Sequence, residues 1–114
     1  MKQTKQDAQA FAIPGGTQGM LYPSDPCGAL SIAVVEMDGK YPEDGWSIND
    51  ICTETMYVQE GVMDVDIEGE SYTLNPGDVL SIPPKKKYRC HGTAKSIDII
   101  TPAWDKSQNH IIKI

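Results

Sequence analysis

The sequence predicts an all-β fold, a barrel or sandwich of short strands in one domain. Turn signals recur roughly every 8–12 residues between runs of β-branched or alternating residues, the pattern of such folds. No stretch has the length and 3.6-residue period of a substantial helix. The 114 residues suit a single domain over 1–114, since domains commonly run to about 100–150 residues. They leave no room for a separate cofactor domain.

The first ten or so residues read as a polar arm, followed by a short apolar run, Phe11-Ala12-Ile13. Pro14-Gly15-Gly16 breaks the chain, and Pro23 to Gly28 is a loop by its two prolines and its glycine. Leu30 to Met37 carries Ile32, Val34 and Val35, β-branched side chains that suit a pleated surface. Met56 to Gln59 leads through Gly61 into an alternating strand. There Met63, Val65 and Ile67 take one face and Asp64, Asp66 and Glu68 the other, solvated one.

Glu68-Gly69-Glu70 is a tight turn, and Ser71 to Leu74 returns antiparallel. Asn75-Pro76-Gly77-Asp78 is the sharpest turn, with proline presetting its own φ and glycine supplying a positive one. Val79 to Ile82 is a strand stopped by Pro83-Pro84, and Lys87–Cys90 and Lys95–Ile100 read as two more. The remainder, about 101–114, reads as a surface segment pinned by Trp104 and ending in a short apolar run.

A formal net charge of -6 speaks against nucleic acid, whose phosphates call for an excess of Lys and Arg. Lys85, Lys86, Lys87 and Arg89 form one local basic patch. It is open to two readings, recruitment of an anion or a solvated strand face. The first residues lead into no apolar stretch of the signal-peptide kind, and no segment approaches the roughly 20 apolar residues that span a bilayer. A cytoplasmic protein with no membrane partner is the expectation. Cys27, Cys52 and Cys90 form no Cys-x-x-Cys pair and read as reduced, small buried hydrophobes.

Glu54 is followed seven positions later by Gly61, through Tyr57-Val58-Gln59-Glu60, and Gly77 is followed six positions later by Pro83. In these motifs the chain resembles the cupin family, whose fold is a double-stranded β-helix, or jelly-roll barrel. The resemblance implies a metal site of two histidines, a glutamate and a later histidine. Glu54 alone survives here. The two histidine positions fall on Ser47 and Asn49 with a four-residue spacer, or on Ile48 and Asp50 with three, and the last falls on Tyr88. One carboxylate with a phenol, an amide and a hydroxyl is a poor set for the divalent metals that imidazole holds, so no metal or other cofactor is expected. An atypical metal through Glu54, Asp50 or His91 stays open. Period two turns His91 away from the face of Tyr88 and Cys90, and a solvated position is expected for His110.

Without a metal, Glu54 must be paired, hydrogen-bonded or protonated inside an apolar barrel. Tyr88 and Asn49 are the donors that the resemblance brings to it. The expected pocket is built from Ser47, Asn49, Glu54, Met56, Tyr88 and Cys90, with Glu54 and Tyr88 as the proton-transfer pair if there is chemistry. Trp46, Met56 and Tyr57 read as pocket, core or dimer residues. Three functions follow: a metal-free barrel binding a small polar ligand, a sugar or small carboxylate; a cupin enzyme; or a purely structural or regulatory partner. The enzyme is either a metal-free isomerase, epimerase or lyase, or an atypical metal-dependent one. A homodimer is expected from the resemblance and from the need to cover strand edges, with Phe11 to Ile13 open to donation as a strand to a partner.

Overall fold

The computed structural model describes residues 1–113. Nine strands run in chain order: β1 Gln9–Ile13, β2 Thr17–Leu21, β3 Ser31–Tyr41, β4 Trp46–Asn49, β5 Thr53–Ile67, β6 Glu70–Leu74, β7 Val79–Ile82, β8 Tyr88–Thr101 and β9 Asn109–Ile112. Every pairing is antiparallel. The long strand β8 is central, with β3 on one side and β5 on the other. Beyond β3 lie β2 and then β1, while the far edge of β5 carries β7 and β6. Ser47 of β4 meets Tyr88 of β8, and β9 pairs with β4. No helix among the described residues is long and apolar enough to cross a membrane.

Side-chain alternation sorts the residues between the inside and the outside of this curled sheet. On β3, Ser31, Ala33, Val35 and Met37 are buried while Ile32, Val34 and Glu36 face out. On β8 every even-numbered residue from Tyr88 to Ile100 except Gly92 is buried. On β5 the buried set changes parity. Glu54, Met56 and Val58 point inward, then Met63 and Val65. The cause is a bulge, because Val58 faces Ser96 while Glu60 faces Lys95, leaving Gln59 as the extra residue. A one-residue slip without it would turn the second half of β5 inside out.

The expected turns at Glu68-Gly69 and at Asn75 to Asp78 are present. In the second, Asp78 N–H donates to the Asn75 carbonyl at 2.9 Å, and Gly77 sits at φ 92°. Four expectations need correction. Lys87–Cys90 and Lys95–Ile100 are one continuous strand, since β3 and β5 hold it on both sides across His91 to Ala94. Strand structure begins at Gln9, inside the supposed arm, and Phe11 to Ile13 pairs with β2 of its own chain. The segment after Thr101 is more than a surface strap, for it adds β9 and buries Gln108. Cys27 is exposed in its loop, and only Cys52 and Cys90 are buried.

Two apolar clusters fill the interior. The larger joins Met37, Met56, Val58, Met63, Val65, Leu74, Ile82, Tyr88, Cys90 and Ala94. The smaller joins Ala33, Val35, Cys52 and Ile100 beneath Phe11, Leu21 and Trp104. Ser47, Asn49, Glu54, Asp98 and Gln108 are buried polar side chains, and these contribute to the site.

Candidate functional site

The register settles the open spacing. Ser47 and Asn49 are buried on the inner face of β4, Ile48 is half-buried and Asp50 is exposed. The four-residue spacer is the one the fold uses. Glu54, opposite Ile100 on one side and Ile82 on the other, points into the barrel from β5. The Tyr88 hydroxyl donates to Glu54 Oε1 and Oε2 at 3.4 Å each, and Asn49 Nδ2 donates to Oε1 at 3.4 Å. Burial raises the Glu54 carboxyl above its ordinary range, against the pull of the Asn49 and Tyr88 donors. Burial likewise raises the Tyr88 phenol well above 10, with the Glu54 charge adding to it, so Tyr88 stays a proton donor at neutral pH.

All six expected pocket residues, Ser47, Asn49, Glu54, Met56, Tyr88 and Cys90, are buried inside the barrel. Burial lifts the Cys90 thiol well above its usual value, so it is a neutral wall rather than a thiolate. Trp46 and Tyr57 are not part of this group. Trp46 lies on the outer surface of β4, with the Arg89 guanidinium 4.1 Å and the Lys87 ammonium 5.6 Å from its ring centre. Arg89 also pairs with Asp66, and Lys86 with Glu68, which accounts for the basic patch as a solvated face.

Sequence reasoning missed four contributors. Tyr41 follows β3 inward, its hydroxyl 3.2 Å from Ser47 Oγ. Gln108 and Asn109 donate to Asn49 Oδ1 at 3.1 and 2.9 Å, which turns the Asn49 amide nitrogen toward Glu54. Gln108 Oε1 in turn accepts from the backbone of Ile51 and Cys52. The fourth is Asp98, opposite Ala33 and Met56, 7% exposed and held by Ser96 Oγ at 2.9 Å. Its parity with Tyr88 and Cys90 was the available signal, hidden by reading β8 as two strands. No pattern marked Gln108 or Asn109.

The metal set implied by the resemblance does not fit these residues. Tyr88 keeps its proton, Asn49 and Ser47 are neutral, and both histidines lie outside. His91 sits 3.9 Å from Asp64, and His110 Nε2 sits 2.6 Å from Asp50. Among the described residues no group of three His, Cys, Asp or Glu is placed to hold a metal. Two open surface grooves, of about 560 and 410 Å³, lie elsewhere. The first is walled by β1 and β2, by Glu36 to Asp38 of β3, by Glu60 and Gly61 of β5 and by Thr93 to Lys95 of β8, and the second touches only Cys90 of the site residues. Glu54 and Asp98 line neither groove and are themselves buried, 8% and 7% exposed.

Solved structures with the same barrel include Pac13, a nucleoside dehydratase from Streptomyces, also solved with uridine as single-residue variants. It is 17% identical with a TM-score of 0.87, over 100% of this chain and 92% of that one. An RmlC-like cupin from Shewanella frigidimarina is 20% identical with a TM-score of 0.73, over 92% and 93%. Ectoine synthase from P. lautus is 14% identical with a TM-score of 0.67, over 95% and 82%. At these identities the likeness is one of fold, carried by enzymes among others. No curated protein sequence matches the chain. The cupin domain family model matches residues 33–99, more than half of the chain, from near the start of β3 to near the end of β8. The chain therefore belongs to the cupin family.

Proposed function

We propose that the barrel interior binds a small polar molecule among Ser47, Asn49, Glu54, Met56, Tyr88 and Cys90, and that Glu54 and Tyr88 move a proton on it. The observation that carries this reading is a carboxylate buried without a cation. All ten lysines and arginines and both histidines are exposed, so nothing inside neutralises Glu54. A buried acid of this kind costs stability, and such groups cluster where chemistry needs them. Its two donors stand at 3.4 Å, longer than the usual 2.5–3.0 Å for a hydroxyl donor. That leaves the carboxylate under-bonded and open to a ligand hydroxyl.

The chemistry available is general acid–base catalysis with Glu54 as base and the Tyr88 hydroxyl as donor, the kind that serves isomerisation, epimerisation or elimination. The neighbouring dehydratase supports that class on this barrel. The test is Glu54→Gln, with binding by calorimetry and turnover by NMR on uridine, monosaccharides and small hydroxy acids. Binding should stay within about threefold while turnover falls by about 10²–10⁴. Equal loss of both would mark a barrel that only binds.

A second copy of the chain is the proposed partner, seated on the outer face. There Met20, Val34, Ile97, Tyr57 and Val79 form one row across five strands, flanked by Ile32 and Ile99. Val79 is 59% and Tyr57 43% exposed. The next row alternates Glu36, Lys95 and Glu60, with Lys95 at 3.9 and 3.5 Å from the two acids. Mixed charge along one rim meets its own complement under a twofold axis. Val34→Asp should sediment as a monomer where the parent sediments as a dimer; a monomeric parent would refute the partner. Neither nucleic acid nor membrane is proposed as a partner, and the three unpaired thiols suit the reducing cytoplasm.

A further inference from the structure

Asp98 plays no part in the proton transfer set out above, and its position calls for an explanation. It lies on the central strand β8, between Ala33 of β3 and Met56 of β5. Glu54 is its diagonal neighbour on β5, since Met56 is the direct partner of Asp98 and Ile100 that of Glu54. Diagonal side chains in a sheet stand about 7–8 Å apart at most, a span one small molecule can bridge. Both acids are buried, and both face the same interior.

The walls around Asp98 carry no positive charge. On β8 its inward neighbours are Ser96 and Ile100, with Cys90 further along. From β3 it meets Ser31, Ala33 and Val35, and from β5 Glu54, Met56 and Val58. The titratable groups facing it are therefore Glu54 and Cys90, and the Tyr41 and Tyr88 phenols stand beyond them, beside Glu54. All of these are acids. Every lysine, arginine and histidine in the chain is exposed.

An anion entering this interior would lose its water and find only acids and neutral donors, which desolvation and like-charge repulsion both oppose. A neutral hydroxylated molecule meets no such penalty. It can give a hydroxyl hydrogen to Glu54 and take one from a protonated Asp98.

We infer that the interior selects an uncharged hydroxylated ligand, with Asp98 as the proton-bearing donor opposite Glu54, and turns away carboxylates and phosphates. This rests on the reading of the interior as a ligand site and narrows it, removing small carboxylates from the candidate ligands. The elevated pKa of Asp98, about 8, agrees with a carboxyl that keeps its proton at neutral pH. The Asn49 and Tyr88 donors favour the ionised form of Glu54 over that of Asp98, which has Ser96 alone.

The experiment uses matched probes on the intact chain: D-glucose against D-glucuronate, and uridine against uridine 5′-monophosphate, by calorimetry from pH 6 to 9. The neutral member of a pair should bind about tenfold or more tighter than its anion, and its affinity should fall about tenfold between pH 6 and 9 as Asp98 loses its proton. Asp98→Asn keeps a donor that does not ionise, so its affinity should stay level over that range. An anion that binds as tightly as its neutral partner overturns the inference, as does an Asp98→Asn variant with the same pH dependence as the parent. Carbon-13 spectra of the labelled carboxyl groups separate this from the broader reading. A protonated Asp98 at pH 7 with no probe bound would refute the ligand site and keep the proton assignment. Two ionised carboxylates would refute the assignment whatever binds.

Discussion

Replacing Asp98 with asparagine is expected to weaken the fold slightly at pH 3.5 and to strengthen it increasingly from pH 5 to pH 9, so that the two stability profiles cross. Burial first, and the charge of Glu54 second, lift the Asp98 carboxyl from 3.8 to about 8. Below the lower value the folded and unfolded chains both hold the proton. Between the two values only the folded chain holds it, so stability falls as pH rises, by up to about 1.4 kcal/mol per pH unit. The accumulated loss is on the order of 6 kcal/mol and is complete above the folded value. Asparagine never ionises and escapes this loss, while its amide hydrogens, lacking partners, cost about 1 kcal/mol at every pH. The raised carboxyl of Glu54 tilts both proteins in the same direction. Urea unfolding at pH 3.5, 5, 7 and 9 reads the difference as a midpoint shift at constant m-value. Parallel profiles would mean that water reaches Asp98 and that it ionises normally.

Gly61→Ala should be among the most damaging single substitutions in the chain. Gly61 follows the β5 bulge at φ 76°, and a Cβ there would stand 2.0 Å from the Thr93 carbonyl oxygen and 2.9 Å from Ala94 Cα. Both obstacles are backbone on the neighbouring strand, so no side chain can swing aside. Relief requires β5 and β8 to part at the point where the buried set of β5 changes parity. Left-handed strain and forced overpacking together should cost about 3–5 kcal/mol. Gly28→Ala is the matched control, with φ 69° and nothing within 4 Å, and should cost only about 1–2 kcal/mol. Comparable losses for the two would assign the whole effect to backbone angle and none to the close approach of the strands.

The strands with clean alternation were legible because burial on one face leaves a period of two in the sequence. Met63, Val65 and Ile67 against Asp64, Asp66 and Glu68 are the plainest case. The turns at Gly69 and Gly77 were legible because few residue types take those angles. The break wrongly placed between Cys90 and Lys95 has a physical source. His91, Gly92 and Thr93 lack the composition of a strand, and they are held extended by β3 on one side and β5 on the other. Pairing on both edges overrides weak local preference. That one error hid Asp98, whose face follows directly from Tyr88 once the strand is continuous. Phe11 to Ile13 was legible as a strand but not as to its partner, since pairing within the chain depends on the Pro14 to Gly16 turn bringing β2 alongside.

By itself the sequence determined the all-β class and the outward turn of His91, through turn chemistry and alternation. The meeting of Glu54 and Tyr88 was legible only through the resemblance of two motifs to the cupin family. Only the tertiary structure decided the rest. The choice of Ser47 and Asn49 over Ile48 and Asp50 came from the register of β4. The orientation of Asn49 came from Gln108 and Asn109, about sixty residues away in sequence. The absence of positive charge from the interior was decided only when the folded chain left every lysine, arginine and histidine exposed and buried Glu54 and Asp98 within one barrel. Such facts concern residues far apart in sequence, and no local pattern encodes them, because what brings these side chains together is closure of the sheet.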